Sequence, residues 1–492
     1  MLTQVTWWGT PPPADASDAA DARGLSLATG QSKGLAQLDA VLARSTAVVF
    51  AVTGAGDQLL KDGMNRLFAA ALGHGCAPVI FCDVADVDAV YTEIKHLPYA
   101  SRLVLRTPPS VDKMFGEMSP SPRRRWLRND KIKGPSKFSP EDRLLLERAF
   151  ADCIEVTLTR LDGGASGDVY QASVRLRDSK IGPHPLPFFV KLERYTKAKR
   201  EIDNYLDCTT LFIPFYARPN IDQSRCLLGA ERGVIVGNFV EHSDSLGDLV
   251  ARGSAQQAIG SLFDDALRGW RTQAYATPAH QVTRSIAKSL GGAVPAGYSN
   301  SAWERAETQA RAARAYGATM TAAELAALLD GLAPRLHRLC LSHGDLHDRN
   351  VRVRNNQAIL IDFAAVATAP LVADPAALDA ALCLDAQASS FEHWRDTVTD
   401  LYLPANVFSL PSPPPPGALM PHLVHAVRQV RRHGLADAFS AEEYATALAI
   451  FLLRHALREP REKEQPNRRA VVFFLAERLA RDLAAAKASI AA

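Results

Sequence analysis

Hydrophobic and polar positions change pattern four times along the chain. Residues 11–35 hold Pro, Ala, Asp, Gly and Ser with little to bury, so 1–38 is expected to be a flexible segment. From 39 to 107, apolar runs at 47–52, 78–81 and 102–105 alternate with helical patterns at 58–72 and 84–96. That alternation predicts a small parallel α/β domain over 39–107. Segment 108–138 is broken by Pro and Ser and carries Arg123, Arg124, Arg125, Arg128, Lys131, Lys133 and Lys137 against Asp130. It reads as a basic, solvated linker, with a phosphate or nucleic-acid surface as the alternative.

The pattern then starts afresh. Ser139-Pro140-Glu141-Asp142 predicts a helix start, with Ser as N-cap, Pro at the first helical position and acids in the first turn. Strand-like runs follow at 153–158, 169–176, 188–192, 226–228 and 233–239, with a helical stretch at 198–206. From about 244 helical periodicity dominates, interrupted by an irregular segment at 341–366. A strand-rich lobe over 139–242 and a helical lobe over 243–492 are expected. Residues 410–416 predict a stiff polyproline connection, Ser440-Ala441-Glu442-Glu443 a capping-box helix start, and 469–485 a core-packing amphipathic helix.

Composition narrows this picture without redirecting it. At 492 residues the chain exceeds what one core supports, roughly 250 to 300 residues. Its 47% hydrophobic and 22% charged content with a net charge of +3 is that of an ordinary globular protein, and charge alone implies no nucleic-acid partner. The seven scattered cysteines form no C-x-x-C pair and read as reduced core residues. No basic start followed by an apolar stretch marks a secretory signal, and no apolar run reaches about 18 residues, so the expected location is the cytoplasm, away from the membrane.

The candidate chemistry sits in the irregular segment. Phosphoryl transfer asks a protein to hold phosphates in line, neutralise metal-bound charge and orient the acceptor hydroxyl. Asp345 and Asn350 lie five residues apart in a loop between apolar runs, and Asp362 follows twelve residues later at the end of the run Ile359-Leu360-Ile361. An amide and a carboxylate placed this way suit Mg²⁺ shared with substrate phosphates. Singly, each acid has an ordinary account as a cap or turn residue. Together, the order Ser342-His343-Gly344-Asp345-Leu346-His347-Asp348-Arg349-Asn350, short strand, hairpin and Ile361-Asp362-Phe363 resembles the aminoglycoside phosphotransferase and choline kinase group of protein-kinase-like enzymes.

The resemblance covers about residues 150–385 and implies an α+β, bilobal protein-kinase-like fold, with a β-rich N-lobe and a helical C-lobe, preceded here by the small α/β domain. It implies ATP and Mg²⁺ as cofactors and transfer of the γ-phosphate to a hydroxyl acceptor, a small molecule first of all. Asp345 matches the aspartate that orients the hydroxyl proton, Asn350 and Asp362 match the metal ligands, and His343 matches the histidine supporting the loop. Asp374 falls where an aspartate braces that loop from the next helix. His347 is a motif position without an assigned role. Upstream, Gly163, Gly164, Ser166 and Gly167 form a turn between two strand-like runs, where small residues let backbone N–H groups approach phosphates. Lys191 and Glu201 match the phosphate-binding lysine and its helix-borne glutamate, with Glu193 and Asp203 as competitors. Phe239 and Val240 fall at the adenine-contacting connection between lobes. Trp270, Tyr275, Trp303, Glu304 and Tyr316 are candidate acceptor contacts.

The α/β domain invites comparison with response-regulator receivers, in degenerate form. Taking 47–52 as first strand, the third strand runs into Arg106-Thr107 and lacks a phospho-accepting aspartate, while Asp83 follows the second. A second functional reading follows: a signalling or conflict-system module that reaches a protein partner through residues 39–107. A third, a catalytically dead pseudokinase, is disfavoured because every expected chemical position is filled, and nucleotidyl transfer on the same scaffold stays open as a further alternative.

Overall fold

The computed structural model describes residues 3–21, 25–30, 41–42, 45–54, 64–74, 76–82, 84–94, 104–106, 131–134, 138–150, 152–161, 168–177, 182–223, 225–229, 231–408, 419–458 and 467–491. The chain divides into two compact units, Met1–Leu206 with Asn220–Val240 and Asp207–Pro219 with Glu241–Ala492. The architecture is α+β, as expected.

In the first unit, β1 (Thr3–Gly9), β2 (Leu25–Gly30), β3 (Ser45–Ala51), β4 (Ala77–Phe81) and β5 (Val104–Arg106) form a sheet of order β2-β1-β3-β4-β5. Every neighbouring pair is parallel. Val48 and Phe50 of β3 join one apolar cluster with Trp8, Phe68 and Ile80, whereas Val49 and Ala51 join another with Trp7, Ala16 and Val79. Burial on both faces is why β3 reads as an unbroken apolar run. The expectation of a flexible 1–38 is corrected, because β1, β2 and the helix Ala16–Asp21 lie inside it. That helix buries only the small side chains Ala16 and Ala20 in its cluster, and both strands depend on partners distant in sequence.

The strand order is the flavodoxin-like one. The run at 47–52 is the third strand in sequence, not the first, and it leads into Val52-Thr53-Gly54, without an acid. Asp83 lies outside the described residues.

A second sheet in the same unit comprises β6 (Ile132–Lys133), β7 (Cys153–Arg160), β8 (Asp168–Leu176), β9 (Phe188–Arg194), β10 (Leu227–Leu228) and β11 (Arg232–Asn238), ordered β10-β11-β9-β8-β7-β6. It is antiparallel apart from β6, which runs parallel to β7. Since β6 falls within the expected linker 108–138, the end of that linker is a sheet edge, with Lys133 Nζ 2.9 Å from Glu155 Oε2. Arg123, Arg124, Arg125, Arg128 and Lys137 lie outside the described residues. The helix Pro140–Ala149 starts as predicted, Ser139 Oγ accepting from the Asp142 amide at 3.0 Å. The α/β domain packs on this sheet through the helix Met64–Gly73, whose last residue has no room for a side chain: a Cβ on Gly73 would lie 3.0 Å from the Leu228 carbonyl oxygen.

The second unit takes in 207–219, expected in the strand-rich lobe. Trp270 Nε1 donates to the Cys208 carbonyl at 2.7 Å, and a Cβ on Gly269 would fall 2.1 Å from the Phe212 carbonyl oxygen. Strands β12 (Asp244–Ser245), β13 (Gln281–Arg284), β14 (Arg335–Ser342), β15 (Val351–Arg354), β16 (Gln357–Leu360) and β17 (Ala367–Pro370) form two small sheets, ordered β12-β15-β16 and β13-β14-β17. Helices Ala373–Asp385, Pro421–Asp437, Ala441–Leu457 and Arg468–Ala491 build the core.

At the centre of that helical core Arg431 Nε donates to Asp379 Oδ2 at 2.8 Å with both side chains fully buried. The Tyr444 hydroxyl donates to the same oxygen at 2.8 Å, and the Tyr402 hydroxyl donates to Oδ1. The predicted capping box at Ser440 does not form: Ser440 is the N-cap residue but its side chain makes no cap bond and meets Glu442 instead, while Glu443 turns to the Phe439 amide at 2.9 Å. The polyproline stretch 410–416 lies outside the described residues. All seven cysteines are free thiols, and among the described residues no helix is long and apolar enough to cross a membrane.

Candidate active site

The two halves of the expected site are built in different units. In the first, the pleat of β9 sets Lys191 on the face opposite Val190 and Leu192, and all three are buried. The helix Tyr195–Asn204 follows directly and buries Ala198, Glu201 and Ile202 on one face. Lys191 Nζ thereby meets Glu201 Oε2 at 2.7 Å, with side-chain exposures of 8% and 5%. Of the competing acids, Glu193 accepts from the Arg194 amide at 3.0 Å, and Asp203 pairs with Lys199. The helix sits close to the sheet because position 233 is glycine: a Cβ there would lie 2.5 Å from Ala198 Cβ. Phe239 and Val240 follow β11, the Phe239 amide donating to the Pro187 carbonyl at 3.1 Å, and the first unit ends at Val240. Gly163, Gly164, Ser166 and Gly167 lie outside the described residues.

In the second unit the catalytic-loop candidates hang from the end of β14. Asp374, in the first turn of Ala373–Asp385, accepts from Ser342 Oγ at 2.7 Å and from the His343 amide at 3.0 Å. Pro375 fits beside it because an amide in a first turn has no intrahelical partner to lose. Gly344 has φ 75°, and a Cβ there would sit 2.1 Å from the Ala365 carbonyl oxygen, so only glycine lets the loop pass. His343 Nε2 lies 3.0 Å from the Ile361 carbonyl oxygen, which can only accept, so the proton is on Nε2. The ring also packs against Phe363 at 5.8 Å. His343 thus ties the loop to the strand end that carries Asp362.

Asn350 completes the closure. Its Nδ2 donates to the Asp345 carbonyl at 2.9 Å, while its own carbonyl accepts from the Ile361 amide at 3.0 Å. With the amide nitrogen spent inside the loop, its side-chain oxygen is the atom that could ligate a metal. The twelve-residue spacing to Asp362 is the hairpin β15–β16, turned at Asn355 and Asn356 with φ of 52° and 62°. Asp362 itself has φ 66° and ψ 78°, an unfavourable left-handed conformation for an aspartate, of the kind that collects at functional sites. Among the described residues no group of three or more His, Cys, Asp or Glu side chains could hold a metal. Two protein oxygens fit Mg²⁺ that completes its shell with water and phosphate.

Asp345 is part-exposed and has a partner the sequence did not announce. Arg458 Nη2, from the residue that ends Ala441–Leu457, donates to its Oδ1 at 2.8 Å. Burial pushes the Asp345 carboxyl up, but the Arg458 guanidinium and the His347 and His343 rings outweigh it and hold the group below its usual range. His347 Nε2 lies 3.9 Å from Asp345 Oδ2, and its Nδ1 accepts from the Arg349 amide at 3.2 Å. A cavity of about 400 Å³ borders the loop at Asp348 and Arg349, with Asp248, Asp385 and His422 in its wall. Of the expected acceptor contacts, Trp270 is fully buried and belongs to the core, and the exposed Tyr275 gives its hydroxyl to Asp437 at 2.7 Å.

No curated protein sequence matches the chain. A solved aminoglycoside phosphotransferase, in ternary complex with ADP and hygromycin B, is similar at 12% identity over 66% of this chain and 94% of its own, with a TM-score of 0.37. Amicoumacin kinase in complex with AMP-PNP, Ca²⁺ and Ami is similar at 12% identity over 66% and 88%, with a TM-score of 0.32. Choline kinase from Cryptosporidium parvum Iowa II is similar at 12% identity over 68% and 90%, with a TM-score of 0.28. Over residues 267–406, which hold Asp345, Asn350 and Asp362, the chain matches the phosphotransferase enzyme family, as the resemblance of its catalytic loop implies.

Proposed function

We propose that the chain is an ATP- and Mg²⁺-dependent phosphotransferase that moves the γ-phosphate of ATP to a hydroxyl on a small-molecule acceptor. The observation that carries this is the closed loop in which Asn350 binds the Asp345 carbonyl while His343 and the Asn350 carbonyl hold Ile361, fixing base and ligand candidates in one frame. The family match over 267–406 supports the same reaction class.

In this reading Lys191, set by Glu201, binds the α and β phosphates, and Phe239 and Val240 flank adenine. Asn350 and Asp362 would hold Mg²⁺, which when bound neutralises charge on the phosphates. Asp345 accepts a hydrogen bond from the acceptor hydroxyl and aims its oxygen at the γ-phosphorus. The new O–P bond forms as the bridging bond between the β- and γ-phosphates breaks; ADP leaves with the electron pair, and the hydroxyl proton passes to Asp345.

The test gives wild-type and Asp345→Ala protein γ-labelled or α-labelled ATP with Mg²⁺ and a panel of aminoglycosides, amino alcohols and hydroxy acids. The expected result is γ-label on an acceptor, or ATP hydrolysis, from the wild type alone. Wild-type protein that binds no ATP in the presence of Mg²⁺ refutes the reading, and α-label on the acceptor replaces it with nucleotidyl transfer.

A further inference from the structure

The guanidinium on Asp345 is not explained by the reaction alone. A catalytic aspartate must receive the acceptor hydroxyl, yet one of its two oxygens already holds Arg458 at 2.8 Å. The pair is open to solvent, with side-chain exposures of 36% and 40%, so it adds little to folding. Neither is Arg458 placed by accident, since its backbone carbonyl accepts from the buried Arg469 guanidinium, which also donates to the His455 carbonyl at 2.8 Å. One turn earlier, Arg454 is fully engaged with the carbonyls of Leu290, Gly292 and Ala293. Arg458 has no such carbonyls, and Asp345 is the only described residue that accepts from its side chain. Its remaining donors keep the planar fork of a guanidinium, the geometry that binds carboxylate and phosphate through two parallel bonds.

A hydroxyl bonded to Asp345 would stand roughly 3 Å from that carboxylate, and hence within a few ångströms of the guanidinium. Whatever the acceptor carries beside its hydroxyl is read by Arg458. An ammonium there meets a like charge, whereas an oxyanion completes the fork. We infer that Arg458 is an acceptor-specificity residue, selecting a small alcohol with a carboxylate or phosphate next to the reacting hydroxyl and rejecting amino alcohols. This rests on the phosphotransferase reading and narrows its substrate class.

The experiment gives wild-type, Arg458→Gln and Arg458→Lys protein ATP and Mg²⁺ with D-glycerate, glycerol 3-phosphate, choline or ethanolamine, and follows ADP release against acceptor concentration. Wild type is expected to turn over an anionic acceptor in preference to both amines, and the two anionic arms separate carboxylate from phosphate. Arg458→Gln should raise KM for that acceptor about tenfold or more, with a smaller change in kcat, because a charge-assisted bond is lost in binding. Arg458→Lys, which keeps the charge without the fork, should recover part of it. Wild-type turnover of choline or ethanolamine above both anions overturns the inference, whatever the variants do. So does an unchanged KM in Arg458→Gln with an unchanged melting temperature. Wild-type protein that binds no ATP with Mg²⁺ instead refutes the reading beneath it.

Discussion

Asp374 gives the sharpest test of how the catalytic loop is held. Its carboxylate is buried, at 6% exposure, and its two oxygens answer two donors, Ser342 Oγ at 2.7 Å and the His343 amide at 3.0 Å. Asp374→Ala leaves both donors buried without an acceptor, at about 1–3 kcal/mol each, or about 2–6 kcal/mol together. Asp374→Asn keeps one oxygen and turns an NH₂ toward the other donor, so its cost should be nearer one such loss, about 1–3 kcal/mol. The chemical effect should exceed the thermodynamic one. A shift of about 1 Å in Asp345 suffices for roughly a hundredfold fall in kcat. On the proposed reading ATP affinity should change less than kcat, because the proposed phosphate contacts Lys191 and Glu201 belong to the other compact unit. Urea unfolding followed by circular dichroism, alongside ATP titration and steady-state ADP release, measures all three quantities on the same samples. A folded Asp374→Ala protein with wild-type kcat would show that the loop keeps its geometry without this brace, and the argument from the two bonds would fail.

Three further outcomes are expected. Arg431→Met strands the fully buried Asp379 carboxylate with two tyrosine hydroxyls and should cost about 3–5 kcal/mol in urea unfolding, whereas Asp379→Leu with Arg431→Met should recover most of that loss. Glu443 is pushed up to about 7 by burial, with the Phe439 amide and Arg338 opposing. The folded protein therefore holds a proton that the unfolded chain releases near its ordinary value of 4.5, so this contribution to stability is present below about pH 4.5 and is lost as pH rises toward 7. Glu443→Gln should flatten the pH dependence of the unfolding free energy in that window by roughly 3 kcal/mol, and an unchanged slope would refute the assignment. Gly344→Ala sets a methyl against the Ala365 carbonyl at a positive φ and should lower both melting temperature and kcat, seen by calorimetry and ADP release.

How much of this was legible depended on how local each feature is. The loop from Ser342 to Asn350 and the hairpin to Asp362 are consecutive, so residue order alone carries their geometry. Lys191 and Glu201 were readable because a strand leads straight into a helix, ten positions apart. The helix at Pro140 announced itself through its cap. Arg458 did not, because it reaches Asp345 from 113 residues away, and an arginine ending a helix is ordinary by composition. β1 and β2 were hidden for the same reason. Alternation within Thr3–Gly9 says little until β3 lies alongside, and the small helix between them buries alanines that a hydrophobic pattern barely registers. At Ser440 the capping signal was present, but Glu443 found the Phe439 amide instead.

The first strand of the chain bears on how the protein can be handled and made. β1 lies inside its sheet, bonded to β2 on one side and β3 on the other, although β3 begins some forty residues later. During synthesis β1 emerges well before β3 and must wait for that neighbour. A version shortened to begin after β2 would leave β3 as an open border, with unpaired amides and carbonyls in an apolar strand, the arrangement that invites edge-to-edge aggregation. Removing the front of this chain is therefore a poor way to ask what its first domain does. Charge-bearing substitutions on exposed positions of that domain would pose the question while leaving the strand order intact.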